Sequence, residues 1–263
     1  MASHQVALVT AGSAGLGAAI ARVLAIEARM SVVINYSSNV ERAEALVSEL
    51  RRATEPKHTQ ESLERPATGQ QKFIAIKADM ASRSEIVRLV RESVAAMGRL
   101  DVVVSNAGWT RMTDFMNLDD GVLDDDWDRC LNINVKSHLF LFHAAREYLD
   151  QSEGAFVSTA SVAGVKPSGS SLPYAVSKAA QIHLIKSLAL IAAPRIRVNC
   201  ISPGVLLTEW GRQFPEEKLK AVKERNKLGR FAAVEDVAQQ VKVLVLSKSI
   251  TGQNTVIDAG FSI

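Results

Sequence analysis

The chain is poor in the features that would place it in a special class. Its 2 cysteines, Cys130 and Cys200, sit in apolar segments without a CxxC spacing, so a disulfide scaffold is excluded and buried thiols in a reducing compartment are expected. No uninterrupted apolar run approaches the roughly 18 residues needed to span a bilayer, and the first such run, residues 6–9, is too short for a signal peptide. The 5 histidines (His4, His58, His138, His143, His183) show no zinc spacing such as HExxH; they read as surface or helix filler, and no metal site is expected. Charge of one sign is scarce as well. The 31 Lys and Arg stand against 28 Asp and Glu, and the small excess is spread along the chain, which leaves no footprint for nucleic acid. A soluble cytoplasmic protein, bound neither to membrane nor to nucleic acid, is the expectation.

What is present is a regular alternation. Compact Val/Ile-rich runs at residues 5–10, 31–36, 72–77, 101–105, 155–159, 197–202 and 254–258 read as strands buried on both faces. Helical patterns lie between them at 16–27, 40–53, 83–96, 126–149, 173–192 and 234–246. The alternation predicts a single doubly wound α/β domain, 1–263, with a seven-stranded parallel sheet flanked by helices on both faces. Two segments break the rhythm. Residues 54–71 are polar and read as a tolerated surface insertion. Residues 205–230, with Trp210 and Phe214 beside a charged helical stretch, read as a flap covering a substrate or as a plain helix hairpin on the rim.

The first strand runs into TAGSAGLG, where Thr10, Gly12, Ser13, Gly15, Leu16 and Gly17 form a glycine turn opening a helix. Such a turn lets the backbone approach a phosphate, and the helix amino terminus offers free N–H donors. At the end of the second strand no carboxylate appears before Glu41, while Asn35, Ser37 and Ser38 can donate to a phosphate and Arg42 follows one turn on. That composition favours NADP(H) over NAD(H), since an acidic residue there would repel a 2′-phosphate. Asp79, next to Met80 after the third strand, is placed to accept from adenine or to cap the next helix. Asn106-Ala107-Gly108 makes a sharp turn after the fourth strand.

Tyr174 and Lys178 are four residues apart behind Pro173, so they share one helix face, and a nearby ammonium lowers the pKa of a phenol. Ser161 follows the fifth strand at the edge where such sheets bind ligands. Asn134 lies in the 126–149 helix among Ile133, Val135, Leu139 and Phe140, an apolar setting in which an amide needs a partner.

These residues resemble the short-chain dehydrogenase/reductase family in order and spacing over essentially the whole chain, with a general likeness to ketone reductases of the 3-oxoacyl-carrier-protein reductase type. The likeness rests on residues 10–17, 106–108, Asn134, Ser161, Tyr174-x-x-x-Lys178, Pro203-Gly204 with Val205 following, and Thr208. It implies hydride transfer between NADPH and a ketone or secondary alcohol. Tyr174 would be the general acid/base, Ser161 would hold the substrate oxygen, Lys178 would lower the Tyr174 pKa and bind ribose, and Asn134 would anchor a water. It also implies a homodimer or homotetramer built through the long helices at 126–149 and 173–192. An NAD-dependent alcohol dehydrogenase and a non-catalytic dinucleotide sensor or scaffold are the competing readings. Trp109, Leu207, Trp210 and Phe214 suggest an apolar pocket for a small carbonyl substrate. The chain departs from the family pattern at Ala11 and Ala259, where glycine is usual. If Ala11 needs a positive φ the phosphate turn is strained, unless neighbouring Gly12 relieves it. Trp109 and Arg111 are bulkier than the pattern needs, and either shape the pocket or face solvent.

Overall fold

The computed structural model describes residues 4–55 and 70–263. Most of the 54–71 segment therefore lies outside the described residues. Seven strands form one parallel sheet: β1 (Val6–Val9), β2 (Ser31–Tyr36), β3 (Phe73–Lys77), β4 (Val102–Ser105), β5 (Ala155–Thr159), β6 (Arg197–Pro203) and β7 (Asn254–Ile257). Their order is β3-β2-β1-β4-β5-β6-β7. The reversal between β1 and β4 opens the crevice at the carboxyl edge where such sheets take ligands.

Side chains alternate across a strand, so apolar runs without alternation supply two cores at once. Val6, Leu8, Val33, Val103, Phe156 and Val198 face one layer, whose helices are α3 (Arg83–Met97), α5 (Ser137–Ser152) and α6 (Leu172–Ala192). Ala7, Val9, Val32, Ile34, Val104 and Val157 face the other, covered by α1 (Gly15–Ile26), α2 (Val40–Thr54) and α8 (Val234–Leu246). Each fully buried Leu or Ile contributes about 1.5–3 kcal/mol, and Leu8, Ile20, Leu24, Ile34 and Leu141 are completely enclosed.

The predicted 126–149 helix is divided. Helix α4 (Asp124–Leu131) starts earlier, and a widened π turn, Asn132–Lys136, joins it to α5. Helix α6 carries Tyr174 and Lys178. Ser171 caps it by accepting from Tyr174 N, and Pro173 occupies its first turn. With 21 residues and mean hydropathy 1.2 it is apolar and long enough to cross a membrane, a feature the sequence reading passes over because Lys178, Gln181, His183 and Lys186 interrupt it. It packs against β6. Within residues 205–230 lies α7 (Glu216–Arg225), none of whose residues is buried.

Candidate active site

The glycine turn is a tight piece of backbone. A Cβ on Gly17 would lie 2.3 Å from the Ala11 carbonyl oxygen, and Gly15 takes φ +50 beneath Thr208. Ala14, the residue before α1, brings no side-chain cap. The first-turn N–H groups therefore carry their positive end into the crevice, where Ala14, Gly15 and Leu16 line the wall. Ala11 has φ +46 and Ala259 φ +55. Both departures from glycine thus stand in the left-handed region, and Gly12 does not take a positive φ that would relieve Ala11.

Several residues read from the sequence as cofactor contacts are braces instead. Thr10 is fully buried, and its hydroxyl accepts from Asn106 N (2.8 Å) and Ala107 N (3.1 Å). Asn35 is not a free phosphate donor. Its Oδ1 accepts from Ala11 N at 3.1 Å and its Nδ2 donates to Ala78 O at 3.1 Å, because a polar side chain buried at a strand end must satisfy neighbouring backbone. Asp79 is exposed and accepts from Ala81 N, while Ser82 rather than Asp79 caps α3; Met80 is buried. Ser37 and Ser38 are exposed at the end of β2, and Ser13 is half-buried in the turn. Arg42, at the start of α2, pairs with Glu209 at 2.8 Å across the mouth of the crevice.

The crevice has a volume of about 450 Å³ and brings together Asn106, Gly108, Trp109, Ser161, Tyr174, Lys178, Pro203, Gly204, Val205, Thr208, Trp210 and Phe214. Leu207 does not join them: it is exposed, and Leu206 lines the wall in its place, since the loop after β6 follows no strand or helix period that sequence could read. Trp210 and Phe214 stack edge to face at 5.9 Å, with Trp210 6.4 Å from the Tyr174 ring. Lys218 of α7 donates to Gly169 O at 2.9 Å and lies over the Phe214 ring. Arg111 stays outside the crevice, paired with Asp126 at 2.6 Å.

Asn134 sits in the π turn, fully buried. Its Oδ1 accepts from Trp109 N (2.7 Å), and its Nδ2 donates to Trp109 O (2.8 Å) and Ser177 Oγ (2.9 Å). Both hydrogens of its amide nitrogen are thus engaged and its oxygen keeps one further accepting position; the side chain fixes the loop after Gly108 to α6. Ser161 half-faces the crevice, and its oxygen accepts from Ala163 N at 3.2 Å, which leaves its O–H to donate.

Burial dominates the two titrating groups. The Tyr174 phenol is pushed up to about 12, with the Ser161 hydroxyl pulling it back in part. The Lys178 amine is pulled down to about 7 by the same burial. Its Nζ lies 5.6 Å from the Tyr174 ring centre and donates to Thr159 O at 3.0 Å and Gln181 Oε1 at 2.9 Å. The expected lowering of the phenol by this cation is thus not what the protein alone displays: the ammonium is turned toward α6 and β5, and Tyr174 stands as a protonated acid throughout the neutral range.

Sequence reasoning missed the polar cluster behind Lys178. His138, fully buried, contacts Ser105 Oγ at 2.6 Å and Ser158 Oγ at 3.0 Å through Nδ1, and Gln181 Nε2 lies 3.1 Å from its Nε2. The available signal was spacing: His138 lies four residues after Asn134 and Gln181 three after Lys178, so each shares a helix face with a residue of the site. Among the described residues no group of His, Cys, Asp and Glu could hold a metal.

The family profile described as short chain dehydrogenase matches residues 5–219. The chain is 32% identical to the 3-oxoacyl-[acyl-carrier-protein] reductase FabG of Staphylococcus aureus, covering 97% of this chain and 96% of that one. A solved short-chain dehydrogenase/reductase from Serratia marcescens superposes with a TM-score of 0.85 at 30% identity, covering 99% of both chains. A short chain dehydrogenase from Burkholderia cenocepacia, solved in complex with NADP, does so with a TM-score of 0.83 at 34% identity and the same coverage. With the glycine turn at one end of its crevice and Ser161, Tyr174 and Lys178 at the other, the chain belongs to the short-chain dehydrogenase/reductase family of oxidoreductases.

Proposed function

We propose that the protein uses NADPH to reduce a small ketone to a secondary alcohol, with Tyr174 as proton donor. The observation that carries this reading is the meeting, in one crevice, of the uncapped α1 amino terminus with the Ser161 hydroxyl, the Tyr174 phenol and the Lys178 amine. The residues fit a dinucleotide. The open first turn of α1 suits a diphosphate, the absence of a carboxylate at the end of β2 with Arg42 nearby suits a 2′-phosphate, and Lys178 suits ribose hydroxyls. When bound, the reduced nicotinamide supplies the hydride to the carbonyl carbon. The chain supplies the rest. Ser161 donates a hydrogen bond to the carbonyl oxygen and so orients it, and Tyr174 delivers its proton to that oxygen as charge develops there. Trp210, Phe214 and Trp109 provide the apolar wall for the ketone, and residues 205–230 its cover. The S. aureus relative is named for reducing a 3-oxoacyl thioester, which places ketoacyl thioesters first among ketones to assay.

Tyr174→Phe is the test. It should keep NADPH binding, followed by fluorescence, and lose ketone reduction by a factor of ~10²–10⁴. Reduction at the parent rate would remove Tyr174 from the mechanism. A wild type that binds NADPH but reduces no ketone would leave the dinucleotide-sensor reading, and preference for NADH would favour the NAD-linked dehydrogenase.

A further inference from the structure

Lys178 is 3% exposed, and its Nζ has two protein acceptors, Thr159 O and Gln181 Oε1. An ammonium has three donors, so one remains for the crevice that Lys178 lines. Thr159 O is backbone and cannot move without β5. Gln181 Oε1 is a side-chain atom and needs something to hold it. What holds it is the other end of the same carboxamide. Gln181 Nε2 donates to Ser158 Oγ at 2.7 Å and Thr159 O at 3.1 Å, and lies 3.1 Å from His138 Nε2. A carbonyl oxygen only accepts, so the end of Gln181 facing Thr159 O must be the NH₂. A flipped carboxamide would set oxygen against oxygen there and NH₂ against the ammonium. His138 lies beside this carboxamide as a neutral ring, burial pushing it down to about 3, and so sets no second cation next to the ammonium. Ser105 and Ser158, paired side by side across β4 and β5, hold the ring at its Nδ1. Gln181 itself is completely buried and reaches the crevice only through Lys178.

We propose that Gln181 is the positioning residue of Lys178: its oxygen, aimed by the bonds of its NH₂ to Ser158 Oγ and Thr159 O, holds the ammonium in place and keeps it protonated. The proposal rests on the reductase reading for its kinetic consequence but not for its electrostatic one. The groups that face Lys178 are Tyr174 on its own helix, Cys130 of α4, Cys200 of β6 and, through Gln181, His138 of α5. None of these is a carboxylate, so the Gln181 oxygen acts without a competing anion.

Three full-length proteins decide it: the parent, Gln181→Met, which keeps the shape without an acceptor, and Gln181→Glu, which replaces the amide with an anion. Two pH profiles are recorded for each, of NADPH affinity by fluorescence and of kcat for ketone reduction. The loss of affinity and of kcat at alkaline pH should shift toward lower pH in Gln181→Met and toward higher pH in Gln181→Glu, by about one pH unit each way. At the parent's optimum Gln181→Met should lose about tenfold in kcat with its ketone KM within twofold. A purely structural Gln181 would lower both variants alike without moving the profiles in opposite directions, and that result overturns the proposal. If the parent binds NADPH yet reduces nothing, the reductase reading falls while the binding profiles still decide Gln181. Should Gln181→Glu fail to fold, the direction of the Gln181→Met shift decides alone.

Discussion

Burial holds the Lys178 amine at about 7, well under the ordinary lysine value of about 10.4. Between those two values the unfolded chain binds a proton that the native state does not. The Lys178 contribution to native stability therefore rises with pH across that window, and the cost of burying the cation is complete below about pH 7. The amine that the proposed chemistry needs charged is the one that the fold would rather have neutral. Lys178→Met should accordingly melt at a higher temperature than the parent at pH 6, with the gain shrinking toward pH 9, while ketone reduction is lost. Thermal denaturation at the two pH values checks this, and a variant less stable than the parent at pH 6 would show that the hydrogen bonds to Thr159 O and Gln181 outweigh the desolvation. Tyr174 works in the other sense. Held up to about 12, it is a proton donor that needs no ammonium to stay protonated at neutral pH.

The turn between β1 and α1 is where the chain departs from its family most locally. Ala11 at φ +46 stands in a conformation that costs a side-chain-bearing residue about 1–2 kcal/mol; glycine would relieve that strain, offset in part by about 0.5–1 kcal/mol for its greater freedom in the unfolded chain. Ala11→Gly should raise the stability to urea by about 0.5–1 kcal/mol without altering the Asn35 brace, whose donor is the Ala11 N–H and whose acceptor is Asn35 Oδ1. Elements of this kind show what a sequence displays and what it conceals. All seven strands were legible because parallel strands buried on both faces are short continuous apolar runs. The break between α4 and α5 was not, because a π turn is one extra residue in an otherwise helical pattern and only its backbone bonding, with Ser137 N donating to Asn132 O, reveals it. Of the four residues singled out by spacing, Ser161, Tyr174 and Lys178 do meet in the crevice, while Asn134 lies behind them in the π turn. Thr10 and Asn35 were misread as ligand contacts because a polar side chain at a strand's carboxyl end can turn either to the ligand or to adjacent backbone, and nothing in the residue type decides which.

At the scale of the whole molecule, the outer faces of α5 and α6 leave Leu139, Val176, Leu190 and Ile191 exposed, Leu190 by 83%. This apolar set fits the dimer or tetramer expected through those helices. Light scattering should return a multiple of the monomer mass, and Leu190→Glu should move it toward the monomer; a parent already monomeric at working concentration would leave this surface without a second copy. The sheet order has a different consequence. Thr10 of the glycine turn holds Asn106 after β4, Asn106 Oδ1 accepts from Thr159 of β5 at 3.1 Å, and Thr159 O takes a hydrogen bond from Lys178. One lateral stitch thus runs from the phosphate end to the proton end across three neighbouring strands. The nucleotide grip and the acid–base chemistry proposed for its two ends would then not be modules that evolution or an engineer could exchange separately: a transplanted glycine turn brings its own spacing to that stitch, and the lysine at its far end inherits the error.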